Sequence, residues 1–155
     1  METIQLLNQF YSSFQKGNYM GMNACYADNI RFEDPAFGVL EGDRARSIWN
    51  MLLLKGQSTI TYDIVESTLT SGKVNWTASY KYGPHKRPVI NHVNATFEIS
   101  NGLIISHQDK FDLWQWSRQA LGMSGLFLGW SNFMKDKIQQ KTNRMLDAFM
   151  ANETN

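Results

Sequence analysis

The sequence predicts an α+β fold, and three observations carry that prediction. Apolar residues recur at helical spacing up to Gly56, then at period 2 through four segments between Ser58 and Trp114. Turn residues separate those segments (Ser71-Gly72, Gly83-Pro84 and Asn101-Gly102), and Asn-Gly is the strongest short hairpin signal. Helical spacing returns from Gln115 onward. Helices first and hairpin-linked strands second place the helices against one face of an antiparallel sheet.

Each element has its own signal. Ile4, Leu7, Phe10, Tyr11 and Phe14 make one helical stripe, which Gly17 ends as a C-terminal cap. A short second helix covers Tyr19 to Tyr26. Ile30-Arg31-Phe32-Glu33 alternates apolar and charged residues, and Pro35 closes it: a strand running into a loop bracketed by Gly38 and Gly42. Asp43 stands at the N-cap of a third helix carrying Ile48, Trp49, Leu52 and Leu53, with Gly56 as its stop. The strands Ser58–Leu69, Lys73–Tyr82, Pro88–Ile99 and Leu103–Trp114 then form an antiparallel meander. In the tail, Trp116, Ala120 and Leu121 predict a short helix. Phe133 to Met150 predicts a longer one, with Phe133, Ile138, Met145, Leu146 and Phe149 as its contacts. Between them Leu126-Phe127-Leu128-Gly129-Trp130 reads as a lid or plug over the interior, or as a partner surface if it points outward.

Composition bounds the organisation and the partners. A chain of 155 residues suits one domain with a closed core, here residues 1–114 with a helical extension, 115–155, packed on it. Lys+Arg 15 against Asp+Glu 14 gives a net charge of +1, which argues against nucleic acid or a membrane surface as partner. No apolar run approaches a membrane span, and the N-terminus lacks the pattern of a signal peptide. The single cysteine, Cys25, excludes an internal disulfide framework and a multi-cysteine zinc site. These features predict a cytoplasmic location. Five Trp, six Tyr and nine Phe leave an aromatic excess to be explained.

The order and spacing of Phe10-Tyr11, Lys16-Gly17, Tyr26-Ala27-Asp28, Phe32-Glu33-Asp34-Pro35 and Gly38 resemble the opening of nuclear-transport-factor-2-like proteins. Ketosteroid isomerases, limonene epoxide hydrolases and SnoaL-like polyketide cyclases belong to that superfamily. The run from Ala95 to Asp112 resembles the closing hairpin of the SnoaL-like and epoxide-hydrolase branch, so the resemblance covers residues 4–114. It implies a cone of helices on a strongly curved sheet, a deep apolar pocket for a small apolar molecule, and a homodimer formed through the sheet.

Two carboxylates could carry chemistry there. Period 2 puts His107, Asp109, Phe111 and Leu113 on one strand face, the inner one by its apolar content. Asp109 would then be a general acid or base among rings, or a carboxylate that merely fixes the sheet. In the epoxide-hydrolase resemblance it matches a catalytic carboxylate, but that enzyme's Arg and Asp partners fall on Trp76 and Ala78. Asp34 matches the general base of ketosteroid isomerases in their Glu-Asp-Pro. The isomerase's oxyanion donors, however, fall on Phe10 and near Asn94 or Ala95, and Asp34 also suits an Asx turn before proline. His107 reads as an orienting partner or a satisfied core histidine. Asn91 reads as a polar positioning group, and Trp76, Tyr80, Phe32 and Phe111 as apolar lining. No cluster has metal-ligand spacing and no cofactor motif is present.

Two functions follow. One is a SnoaL-like isomerase, cyclase or hydrolase using Asp109, with Asp34, on an apolar carbonyl- or epoxide-type substrate. The alternative is a non-catalytic hydrophobic-ligand-binding or dimerisation module closed by the C-terminal extension.

Overall fold

The computed structural model describes residues 2–56, 58–123 and 131–153. In chain order the elements are α1 (Thr3–Gln15), α2 (Tyr19–Asn23), β1 (Tyr26–Asp34), β2 (Gly38–Glu41), α3 (Asp43–Leu54) and β3 (Thr59–Ser67). They continue as β4 (Ser71–Tyr82), β5 (Arg87–Ser100), β6 (Leu103–Lys110), α4 (Leu113–Leu121) and α5 (Asn132–Glu153). One six-stranded sheet has the order β2-β1-β6-β5-β4-β3. The meander β3–β6 is antiparallel throughout, while β1 joins β6 in parallel and β2 joins β1 antiparallel. Register shifts between Ile64 and Glu66 and between Glu98 and Ile99 are the places where bulges bend such a sheet. The fold is the α+β cone, with a helix at its C-terminal end.

The core lies between the sheet's inner face and α1 and α3. Leu6, Leu7, Phe10, Tyr11 and Phe14 of α1 are buried, as are Ile48, Trp49 and Met51 of α3. On β5 the inner set Val89, Val93, Ala95, Phe97 and Ile99 is buried, and the residues between its members lie toward solvent apart from half-buried Asn91. Gly72 lets α1 reach β4, because a Cβ there would lie 2.5 Å from Leu7 Cδ1. At the β5–β6 turn Asn101 and Gly102 both take positive φ, 52° and 75°, the geometry of a type I′ hairpin.

Several expected boundaries move. The second helix stops at Asn23, and β1 begins at Tyr26 instead of Ile30. The expected Gly38–Gly42 loop is strand β2, since the chain reverses within four residues and Phe32 then pairs with buried Leu40. The N-cap of α3 is Gly42 (φ 57°), and Asp43 is the first helical residue, paired with Arg46 at 3.2 Å. The last strand ends at Lys110, short of Trp114. There the Asp112 carboxylate accepts Gln115 N–H at 3.0 Å and caps α4, so Leu113, Trp116 and Ala120 follow helical spacing. The boundary drawn at 114 consequently falls inside α4. In α5, Ile138 and Leu146 are buried, but Phe133 is 68% exposed. The stretch from Leu126 to Trp130 lies outside the described residues.

Because β6 stops at Lys110, the first part of β5 loses its neighbour on that side. The Gln119 side chain of α4 takes the neighbour's place. Its Oε1 accepts Ile90 N–H at 2.8 Å and its Nε2 donates to Ile90 O at 3.1 Å. One amide thus satisfies both backbone groups of an open sheet edge.

Candidate functional site

The inner face grades from a dry end to a half-exposed end. Gly72, Val74, Phe97, Ile99 and Ile104 lie at the dry end and are buried. Trp76, Tyr80, Tyr82, Asn91 and Phe111, toward the other end, are half-buried. His107 and Asp109 sit between, 1% and 3% exposed.

A relay of hydrogen bonds crosses the interior from α3 to β4. Trp49 Nε1 donates to Tyr26 Oη at 2.9 Å, and Tyr26 Oη lies 2.7 Å from His107 Nδ1. His107 Nε2 lies 2.9 Å from Asp109 Oδ1, which also accepts Trp76 Nε1 at 3.3 Å. The assignment that gives every hydrogen an acceptor has Tyr26 donating to Nδ1 and His107 donating from Nε2 to Asp109. Neighbouring strands fix the histidine's place: β1 sets Phe32 beside His107, and β5 sets Phe97 there. Ring centroids of Phe97, Phe32 and Phe10 lie 4.3, 5.0 and 5.5 Å from the imidazole, and Trp49 stacks on it at an interplanar angle of 13°. The cage holds one ring orientation, so His107 aims Nε2 at Asp109 and nowhere else.

Asp34 ends β1, where its strand leaves the sheet. Its Oδ1 accepts N–H of Ala36 at 2.9 Å and of Phe37 at 2.6 Å, which makes the Asx turn. Burial pushes its pKa up from 3.8 to about 7, opposed by the Phe37 N–H, reinforced by the Asp109 charge, opposed again by Ala36 N–H, and reinforced by Glu33. In the parallel register Phe32 pairs with His107, so half-buried Asp34, two residues on, lies on the sheet face that carries His107 and Asp109. Tyr80 belongs to it too: burial raises its phenol, the Trp116 bond lowers it, and the charges of Tyr82 and Asp34 raise it. Tyr11, fully buried, carries a hydroxyl with no hydrogen-bond partner, and burial, then Asp109, then Tyr26 raise its pKa well above the usual value.

Of the residues read from sequence, the structure brings together Asp109, His107, Trp76 and Phe32, with Asp34 close enough to feel the charge of Asp109. Phe111 is not on the strand. It packs with Tyr80 in a second cluster around Val89, Trp116 and Ala120, where Tyr80 Oη accepts Trp116 Nε1 at 2.6 Å. Asn91 is half-buried on the inner face, paired across the sheet with Ala78. Sequence reading missed Tyr26 and Trp49, the other half of the relay. Period 2 traced back from Phe32 through Ile30 runs into exposed Asp28, and a register irregularity between Tyr26 and Arg31 breaks the alternation, so no strand pattern points to Tyr26. Among the described residues no three His, Cys, Asp or Glu side chains gather where a metal could bind, and no helix is long and apolar enough to cross a membrane.

Comparison with known proteins bears on the fold. A comparison with curated proteins finds no match. Among solved structures, a protein from Silicibacter sp. assigned as a polyketide cyclase aligns with TM-score 0.67 and 14% identity, over 77% of this chain and 95% of its own. An LEH-like epoxide hydrolase from M. tuberculosis aligns with TM-score 0.62 and 20% identity, over 81% of this chain and 94% of its own. The epoxide hydrolase/cyclase-like enzyme SalBIII, with a role in pyran ring formation in the polyether salinomycin, aligns with TM-score 0.62 and 17% identity, over 70% of this chain and 89% of its own. At such identities the likeness is one of fold. The family model of the SnoaL-like domain matches residues 7–107, which hold Trp49, Tyr26, Trp76 and His107 of the relay and the Asp34 turn, and the chain belongs to that family.

Proposed function

We propose that this protein is a cofactor-independent isomerase, cyclase or hydrolase acting on a small apolar molecule that bears a carbonyl or an epoxide. The observation that carries the reading is the pair Asp34 and Asp109 in an aromatic interior, with Asp34 pushed up to about 7. A carboxyl near that value both takes and releases a proton in neutral solution, as acid–base catalysis requires. Asp109 would remove a proton or activate water. His107 would hold its carboxylate in one orientation, and Asp34 would return the proton. Trp76 and Phe32, with Tyr80, Asn91 and Phe111 toward the half-exposed end, would orient the substrate and exclude water. The names of the structural relatives, a cyclase and an epoxide hydrolase among them, support that substrate class.

The reading extends to a homodimer formed through the sheet and to a cytoplasmic location. The 1–114 core with its 115–155 extension would act as one unit. A second reading is a non-catalytic ligand-binding or dimerisation module closed by the C-terminal extension. It draws support from the 1% and 3% exposure of His107 and Asp109.

Incubation with cyclohexene oxide, styrene oxide and cyclohex-3-enone, followed by chromatography of the products, tests the proposal. Conversion of at least one compound is expected, falling by about 100-fold or more in Asp109→Asn. No conversion, or equal conversion by the variant, would favour the second reading.

A further inference from the structure

The turn that carries Asp34 is held from two sides. From within, the carboxyl accepts N–H of Ala36 and Phe37. From outside, α5 supplies donors to the three successive carbonyls that the sheet leaves unpaired. Gln139 Nε2 donates to Pro35 O at 3.1 Å, Thr142 Oγ1 to Ala36 O at 2.7 Å, and Asn143 Nδ2 to Phe37 O at 2.8 Å. The ladder of β1 and β2 ends at the pair Asp34 and Gly38, so these carbonyls have no strand partner there.

Spacing makes the arrangement specific. Positions 139, 142 and 143 follow i, i+3, i+4 and share one helix face. That face continues into Leu146, fully buried, and is flanked by Ile138, 9% exposed. Polar side chains amid an apolar docking stripe lose hydration, which is recovered only if each finds a partner. Here each finds a turn carbonyl. Arg44 of α3 secures the same helix through Asp147 and through Asn143 Oδ1 at 2.6 Å. Asn143 thereby binds α3 and the turn at once.

We infer that Gln139, Thr142 and Asn143 are positioning residues for Asp34, so that the C-terminal helix, beyond the matched SnoaL-like segment, completes the candidate site. The inference rests on the acid–base reading for its catalytic meaning, but the geometry it asserts can be measured without any substrate. The charged and titratable groups facing Asp34 are Glu33 on its own strand, Asp109 on β6 and Tyr80 on β4. The three α5 donors are neutral; Thr142→Val moves no charged partner, whereas Asn143→Leu also frees the Arg44 guanidinium, so Thr142→Val is the cleaner arm. Loosening the turn admits water, and burial is the largest influence on Asp34. Its titration midpoint then falls.

The test is carboxyl ¹³C NMR titration of the full chain as wild type, Thr142→Val, Asn143→Leu and Thr142→Ser, with thermal unfolding recorded alongside. The expected result is a midpoint at least one pH unit lower in Thr142→Val and Asn143→Leu, each still folded, and restored in Thr142→Ser, which keeps the hydroxyl. A midpoint that stays within a few tenths of wild type or rises overturns the inference, as does an equal fall in Thr142→Ser. The functional reading can fail separately. If the midpoint moves as expected but wild type converts none of the three probe compounds, the positioning role stands and catalysis does not. If wild type converts a probe while the midpoint does not move, catalysis stands and the positioning role falls.

Discussion

Asp34 is the residue whose environment has the clearest consequence. Its folded pKa, about 7, exceeds the ordinary carboxyl value of 3.8, so between those values the folded chain holds a proton that the unfolded chain has lost. Stability from this group is therefore greatest at low pH and declines as pH rises from about 4 to about 7. Asp34→Asn keeps the oxygen that accepts both N–H groups but cannot ionise. Denaturant midpoints measured across that range should show the decline in wild type and a flatter profile in Asp34→Asn; parallel profiles would contradict the assignment. Tyr26 gives a second prediction at this scale. Tyr26→Phe leaves His107 Nδ1 and Trp49 Nε1 without their partner, which should cost about 1–3 kcal/mol in urea unfolding. The burial of His107 and Asp109 was legible from period 2 because the strand alternates cleanly there. The relay was not, because it joins α3, β1, β4 and β6 across long stretches of chain. No local pattern records such a contact.

Among the elements, those set by a single periodicity were readable and those set by a competition were not. α1 and β5 follow one period from end to end. The end of β6 was decided by Asp112, whose capping of α4 overrides a strand pattern that runs on through Leu113. β2 was hidden because Gly38 and Gly42 look like loop residues. In the fold Gly38 opens, and Gly42 follows, a four-residue strand that pairs back on β1 across the Asx turn. α4 is held by buried Trp116 and Ala120 and by Gln119 at the open edge of β5. Gln119→Ala should cost about 0.5–1.5 kcal/mol and accelerate amide hydrogen exchange at Ile90. Unchanged exchange would mean that the edge is protected by something other than that amide.

For the whole molecule, the cone explains most of the aromatic excess. Phe10, Tyr11, Tyr26, Phe32, Trp49, Phe97 and Trp76 meet in one interior around His107 and Asp109, while Tyr80, Tyr82, Phe111 and Trp116 form a second cluster at its half-exposed end. α5 ties the C-terminal end of the chain to this interior through the Asp34 turn. The central claim is that two carboxyls share that interior and that one of them is poised near neutrality. The most direct measurement is a carboxyl ¹³C NMR titration of wild type, with and without cyclohex-3-enone. The account predicts that Asp34 titrates near 7 and that the Asp34 and Asp109 signals both shift when the compound is added. An Asp34 midpoint near 4, with neither signal responding, would contradict it.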